Sequence, residues 1–181
     1  GMNGKSGDLK PETAFIALGS NLNDPAAQVN AGFAALGALP ATRVTARSSL
    51  YRSAPVGYTA QPDFINAVAA LETTLAPRAL LEELLAIERR HGRVREFLNA
   101  PRTLDLDVLL YGELQLHEHG LTIPHPRMHE RAFVLLPLAE IAPRCVIPGR
   151  GRVSELLRAI DASGVKQLAE CSDIDVLGSS L

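Results

Sequence analysis

Two acids two residues apart inside an apolar run, PRTLDLDVLLY at residues 101–111, constrain this chain more than any other feature. In a β-strand successive side chains point to opposite sides, so Thr103, Asp105 and Asp107 share one surface while Leu104, Leu106, Val108 and Leu110 share the other. One surface is then core and the other chemistry. Two ionised carboxylates this close repel each other unless a cation sits between them. A divalent metal suits that place, and Arg102 beside hard oxygen ligands suits Mg²⁺ carrying nucleotide phosphates. An edge strand with a polar outer face is the alternative reading of the same spacing.

The 181 residues fit one domain of ordinary globular composition, 46% hydrophobic and 21% charged. A net charge of −2 gives no general attraction to nucleic acid or to an anionic membrane, so phosphate binding must come from a local basic cluster. That favours a small phosphorylated ligand, and a monomer is the default expectation. Cys145 and Cys171 form no C-x-x-C pair and read as ordinary thiols in a cytoplasmic protein. No apolar run reaches membrane-spanning length. Residues 1–12 read as a flexible tail in which Gly1 ahead of Met2 is an expression scar, and residues 163–181 read as a C-terminal extension.

Along the chain, residues 13–18 form a buried strand bounded by Gly19, Ser20 and Asn21. A helix follows, capped by Asp24, opened by Pro25, carrying Val29, Phe33 and Leu36 inward and ended by Pro40. Alternation predicts a strand over 42–52, then a surface loop over 53–63 and a strand over 64–75. Pro77 opens a second amphipathic helix with Leu80, Leu81, Leu84, Leu85 and Ile87 as its stripe and Gly92 as its stop. A charged loop leads to the acid-bearing strand. Later come an apolar helical patch interrupted by Pro137 and a helix over 153–160. This order, strand-helix-strand-strand-helix-strand, predicts an α+β split βαβ (ferredoxin-like) fold: an antiparallel sheet, helices on one face and long active-site loops.

Arg93 and Arg95 alternate in the charged loop, Arg102 precedes the acids, and Arg131 lies further on. These four suit phosphate, because the guanidinium fork donates two hydrogen bonds at once and stays charged. His125, held between Pro124 and Pro126, has a restricted backbone and a directed imidazole. His91, His117 and His119 read as helix-end and surface residues. Phe64 and Asn66 share one strand face, so a ring and an amide lie side by side where a flat heterocycle could stack and be read.

Five motifs in this order, FIALGSNL (15–22), QPDFIN (61–66), GRVR (92–95), PRTLDLD (101–107) and IPHPRMHERAF (123–133), resemble the 6-hydroxymethyl-7,8-dihydropterin pyrophosphokinase family of folate biosynthesis. The resemblance spans about residues 13–160 and makes residues 13–162 the pterin pyrophosphokinase domain. It implies transfer of the β,γ-pyrophosphoryl group of ATP to the hydroxymethyl oxygen of the dihydropterin, with AMP leaving. It implies two Mg²⁺ ions on Asp105 and Asp107, and phosphate-binding positions at Arg93, Arg102, His125 and Arg131. Adenine and ribose positions fall at Val108, Leu121 and Thr122, with Arg95 and Glu88 also on the ATP side. Phe64 and Phe133 would sandwich the pterin, whose edges Asn66 and backbone groups from Ser53 to Val56 would read. The chain departs from relatives at Asn99-Ala100, where many carry tryptophan, at Gly120, where some carry a basic residue, and at Pro126, where a tyrosine is usual. Read from the residues alone, another Mg-nucleotide transferase using D-x-D, or a ligand-sensing split βαβ module, also accommodates the acids.

Overall fold

The computed structural model describes residues 10–55, 61–92 and 103–169. Residues 1–9 of the expected tail, Val56, Arg93, Arg95, Asn99-Ala100, Arg102 and Cys171 lie outside these residues, while Glu12, the last residue of that tail, opens the first strand by pairing with Thr73.

Strand β1 (Glu12–Ser20) lies inside the sheet, one strand from its edge, because its two faces are apolar in alternation and both become core. Helix α1 (Pro25–Gly37) follows as its sequence dictates: Asp24 accepts from Ala27 N–H at the N-terminus, Pro25 occupies the first turn, and Val29, Phe33 and Leu36 are buried. Gly32 lies inside this helix, where glycine ordinarily costs about 1 kcal/mol. A Cβ there would meet Leu18 Cδ2 at 2.9 Å and Leu104 Cδ2 at 3.2 Å, so its absence lets the helix lie close on the sheet.

The strand expected over 42–52 divides into β2 (Thr42–Arg47) and β3 (Tyr51–Ser53). The cause is Ser48, buried, whose Oγ accepts the Val68 N–H at 2.9 Å while its own N–H reaches Val68 O at 2.9 Å. A side-chain oxygen replaces a ladder carbonyl, and the edge breaks there. Strand β4 (Phe64–Thr73) is buried almost throughout, with β1 on one side and β2 and β3 on the other. Helix α2 (Pro77–Arg90) buries Leu80, Leu84 and Ile87, while Leu85, expected in the stripe, is 38% exposed. Strand β5 (Asp105–Tyr111) pairs antiparallel with β1 and completes the order β5-β1-β4-β2/β3. That is the ferredoxin-like arrangement expected from the element order. A further strand, β10 (Val165–Gln167), pairs with β3, so the sheet continues past residue 162.

Two corrections concern the faces of this sheet. Between Phe15 and Ile16 the β1–β5 register shifts, pairing Phe15 with Leu110 and Ile16 with Val108. Leu109 is the extra residue, and beyond it the alternation inverts. Leu110 therefore leaves the side shared by Leu104, Leu106 and Val108 and joins the opposite cluster with Leu109. Secondly, helices cover both faces rather than one. α1 and α2 pack against Ala14, Ile16 and Leu18. Across the sheet, helices α3 (Ala132–Ile141) and α4 (Val153–Arg158) pack against Phe15, Ala17 and Val68. Pro137 does not interrupt α3 but sits inside it, buried, withholding only the N–H that the Phe133 carbonyl would otherwise accept. Two hairpins, β6 (Leu116–Glu118) with β7 (Leu121–Ile123) and β8 (Val146–Ile147) with β9 (Gly151–Arg152), lie off the main sheet.

Candidate active site

A cavity of about 560 Å³ opens where β1, β4 and β5 run out beneath the start of α3. Its floor is set by small residues of β1. Ala17 is in register with Asp107, and Gly19 is in register with Asn66 on one side and Asp105 on the other. With strands spaced about 4.8 Å apart, the Asn66 and Asp105 backbones stand roughly 10 Å from each other with Gly19 between them. A Cβ on Gly19 would come within 3.2 Å of Asn66 Nδ2, so only glycine leaves this part of the floor open.

On the β4 side lie Phe64 and Asn66. Asn66 is 8% exposed, and its Oδ1 accepts from the hydroxyl of buried Ser53 at 2.7 Å. The remaining donor, Nδ2, faces Gly19 and the cavity. The end of the 61–63 segment is held down by Asn21, whose Nδ2 donates to Gln61 Oε1 at 3.1 Å and to Pro62 O at 3.2 Å. These bonds tie two of the sequence motifs together, since Asn21 lies in FIALGSNL and Gln61 and Pro62 begin QPDFIN.

On the β5 side, Asp105, Asp107 and Leu109 line the cavity while Leu106 and Val108 turn into the core below. The two acids thus share a face as their spacing predicts. Opposite them stands the 123–133 segment. His125 N–H donates to Leu109 O at 2.9 Å, which ties this segment to the acid strand. His125 Nδ1 accepts the Arg127 N–H at 3.2 Å, so the neutral ring carries its proton on Nε2. Burial lowers the His125 pKa below its ordinary value, Asp107 acts against this, and Arg131 and Arg127 act with it. The ring is therefore neutral at pH 7 and offers one donor. The Arg131 guanidinium lies 5.6 Å from the centroid of Phe133, within range for a cation–π contact.

Of the residues expected to form a site, Asp105, Asp107, His125, Arg131, Ser53, Phe64, Asn66 and Phe133 converge on this one cavity. Val108, Leu121, Thr122 and Glu88 do not line it. Val108 and Leu121 are 5% exposed and belong to the core beneath β5, and Thr122 Oγ1 pairs with His117 Nδ1 at 3.1 Å. Glu88, 6% exposed on α2, accepts the Leu106 N–H at 2.7 Å and so braces the acid strand from below. Arg127, Glu130, Gln61 and Gly19 line the cavity without having been singled out. All four lie in or beside motifs already noted, but nothing in the spacing of Gly19 reveals that two strands meet across it.

Among the described residues no three His, Cys, Asp or Glu side chains gather as a metal cage. Two hard carboxylates opening on a cavity nevertheless fit Mg²⁺, which is commonly held by one or two carboxylates and completes its shell with water and phosphate oxygens.

The fold and cavity define a ferredoxin-like α+β domain in which paired acids, a neutral histidine and arginines face a ring-and-amide cleft across one glycine. Residues 15–143 match the family described as 7,8-dihydro-6-hydroxymethylpterin-pyrophosphokinase (HPPK). The chain is 48% identical over 157 residues to a 2-amino-4-hydroxy-6-hydroxymethyldihydropteridine pyrophosphokinase of Pseudomonas aeruginosa, covering 87% of this chain and 97% of that one. It is 49% identical over 146 residues to the protein of the same name from Haemophilus influenzae, covering 81% and 91% respectively. A solved HPPK-DHPS in complex with substrates superposes with a TM-score of 0.71 at 12% identity, over 89% of this chain and 47% of that one, and shows the shared fold. The chain belongs to the 7,8-dihydro-6-hydroxymethylpterin-pyrophosphokinase family.

Proposed function

We propose that this protein transfers the pyrophosphoryl group of ATP to the hydroxymethyl group of 6-hydroxymethyl-7,8-dihydropterin in folate biosynthesis. The hydroxymethyl oxygen bonds to the β-phosphorus and gives up its proton. The bond between that phosphorus and the oxygen leading to the α-phosphorus breaks, and AMP leaves. The observation that carries this reading is the register at Gly19, which sets the amide of Asn66 and the carboxylate of Asp105 on either side of one open floor.

In this reading Phe64 and Phe133 hold the pterin by its faces and Asn66 Nδ2 donates to its edge, with Ser53 holding the amide in that orientation. Asp105 and Asp107 would hold two Mg²⁺ ions, which when bound neutralise triphosphate charge and favour in-line displacement at phosphorus. His125 donates from Nε2 to a phosphate oxygen, and Arg131 neutralises charge at the same end of the cavity. Arg93, Arg95 and Arg102 would complete the phosphate contacts, and the family resemblance puts Val108, Leu121, Thr122 and Glu88 on the adenosine side, outside the described cavity. We place the reaction in the cytoplasm, where ATP is supplied, and take the protein to act as a monomer.

The test is incubation of purified protein with Mg-ATP, with and without the dihydropterin, and chromatography of the nucleotides. Pterin-dependent AMP is expected. ADP as product, or turnover indifferent to the pterin, overturns the proposal.

A further inference from the structure

Helix α3 carries Phe133 at its beginning, over the cavity, and its ten residues, AFVLLPLAEI, include a single polar side chain, Glu140. Phe133 and Glu140 are seven residues apart, two turns along the same face. Apolar packing is non-directional, so a directional contact adds a fixed point to the register of this helix on the sheet. Glu140 supplies one at the far end. Its Oε1 accepts from Ser49 N–H at 2.9 Å and from Tyr51 Oη at 2.8 Å, and its Oε2 accepts from Ser49 Oγ at 2.8 Å. A carboxylate in the last turn of a helix is opposed by the helix dipole, so these donors are what keep it there. Gln167 Nε2 donates to Ser49 Oγ at 3.0 Å, extending the tie to β10. The Tyr51 phenol is pushed well above its ordinary pKa by burial and by Glu140, so it remains a donor.

The elements so joined are the two sides of the cleft. Tyr51 is in register with Asn66 and Ser53 with Phe64, and Ser53 donates to Asn66. Displacement of α3 against β3 therefore changes the distance between Phe133 above and the Phe64–Asn66 surface below. The acids of β5 stand outside this link. The geometry points to Glu140 as a positioning residue for the heterocyclic substrate, setting the width of the cleft through Ser49 and Tyr51 without touching either substrate.

This rests on the proposed pyrophosphokinase activity, and steady-state kinetics with both substrates varied separates the two. Glu140→Ala is expected to raise KM for the dihydropterin about tenfold, with KM for ATP and kcat within about threefold, since one cluster of directional contacts is lost. Glu140→Gln keeps an acceptor for Ser49 N–H and Tyr51 Oη and is expected to stay within about threefold of wild type in all constants. Should Glu140→Ala fail to fold, the double variant Ser49→Ala, Tyr51→Phe removes two of the three donors and is expected to raise pterin KM by about sixfold, with KM for ATP and kcat within about threefold. Equal rises in both KM values, or an unchanged pterin KM in a folded variant, overturn the positioning role while leaving the activity in place. A wild-type protein without pterin-dependent AMP formation removes the activity and the positioning role with it.

Discussion

The Ser53 hydroxyl donates to Asn66 Oδ1 at 2.7 Å between two buried side chains, and this decides which end of the amide faces the cavity. With Oδ1 occupied, Nδ2 is presented as donor. Ser53→Ala releases that constraint, and if orienting the freed amide on binding costs about 1 kcal/mol, affinity falls about fivefold. KM for the dihydropterin should rise by that factor with KM for ATP unchanged. Equal effects on both substrates would show that the pair does not orient a pterin reader.

Asp107 is exposed at the mouth of the cavity and takes no part in the core. Asp107→Ala should abolish turnover, by about a thousandfold or more, while the thermal midpoint stays within about 2 °C, because little packing is lost. Chelation of divalent cations should have the same effect on wild type, reversed by Mg²⁺. Retained activity in the variant or in chelator would remove the metal assignment.

Glu88 stands beneath the acid strand and accepts the Leu106 N–H at 2.7 Å while 6% exposed. Glu88→Ala leaves that buried N–H unpaired, which should destabilise the fold by about 2 kcal/mol. Glu88→Gln, which keeps an acceptor, should lose about half as much. Urea denaturation checks this, and an Ala variant as stable as wild type would show that β5 is not braced from α2.

His125 has its pKa lowered below 6.5, first by burial and then by Arg131 and Arg127, with Asp107 opposing. Between the folded value and 6.5 the unfolded chain binds more protons, so this group's contribution to stability is full above 6.5 and is lost as pH falls through the folded pKa. NMR titration of the ring should give a midpoint below 6.5 and the Nε2–H tautomer in the neutral form. Asp107→Asn removes the opposing influence and should lower the midpoint further. A midpoint that rises in this variant would contradict the electrostatic picture of the site.

Local features were legible in the amino-acid sequence where the chemistry that makes them is local. Asp24, Pro25 and the spacing of Val29, Phe33 and Leu36 define α1 within fourteen residues. The common face of Asp105 and Asp107 follows from strand geometry alone and survives, because the bulge at Leu109 lies beyond them. Leu110 was misplaced for the same reason: a bulge is a property of two paired strands, and period-2 reasoning sees one. The break at Ser48 depends on Val68, twenty residues away, which accepts and donates there. Helix α3 is apolar on all sides but one residue, so its pattern could not tell which face of the sheet it covers. The part played by Gly19 needs three strands in register before it can be seen at all.

The most direct measurement is the ³¹P NMR spectrum of a reaction containing Mg-ATP and 6-hydroxymethyl-7,8-dihydropterin. The account predicts loss of ATP matched by AMP and by two coupled phosphorus signals of a diphosphate ester on the pterin. ADP with a single pterin-bound phosphate, or inorganic pyrophosphate with an adenylylated pterin, would place the attack at a different phosphorus and contradict it.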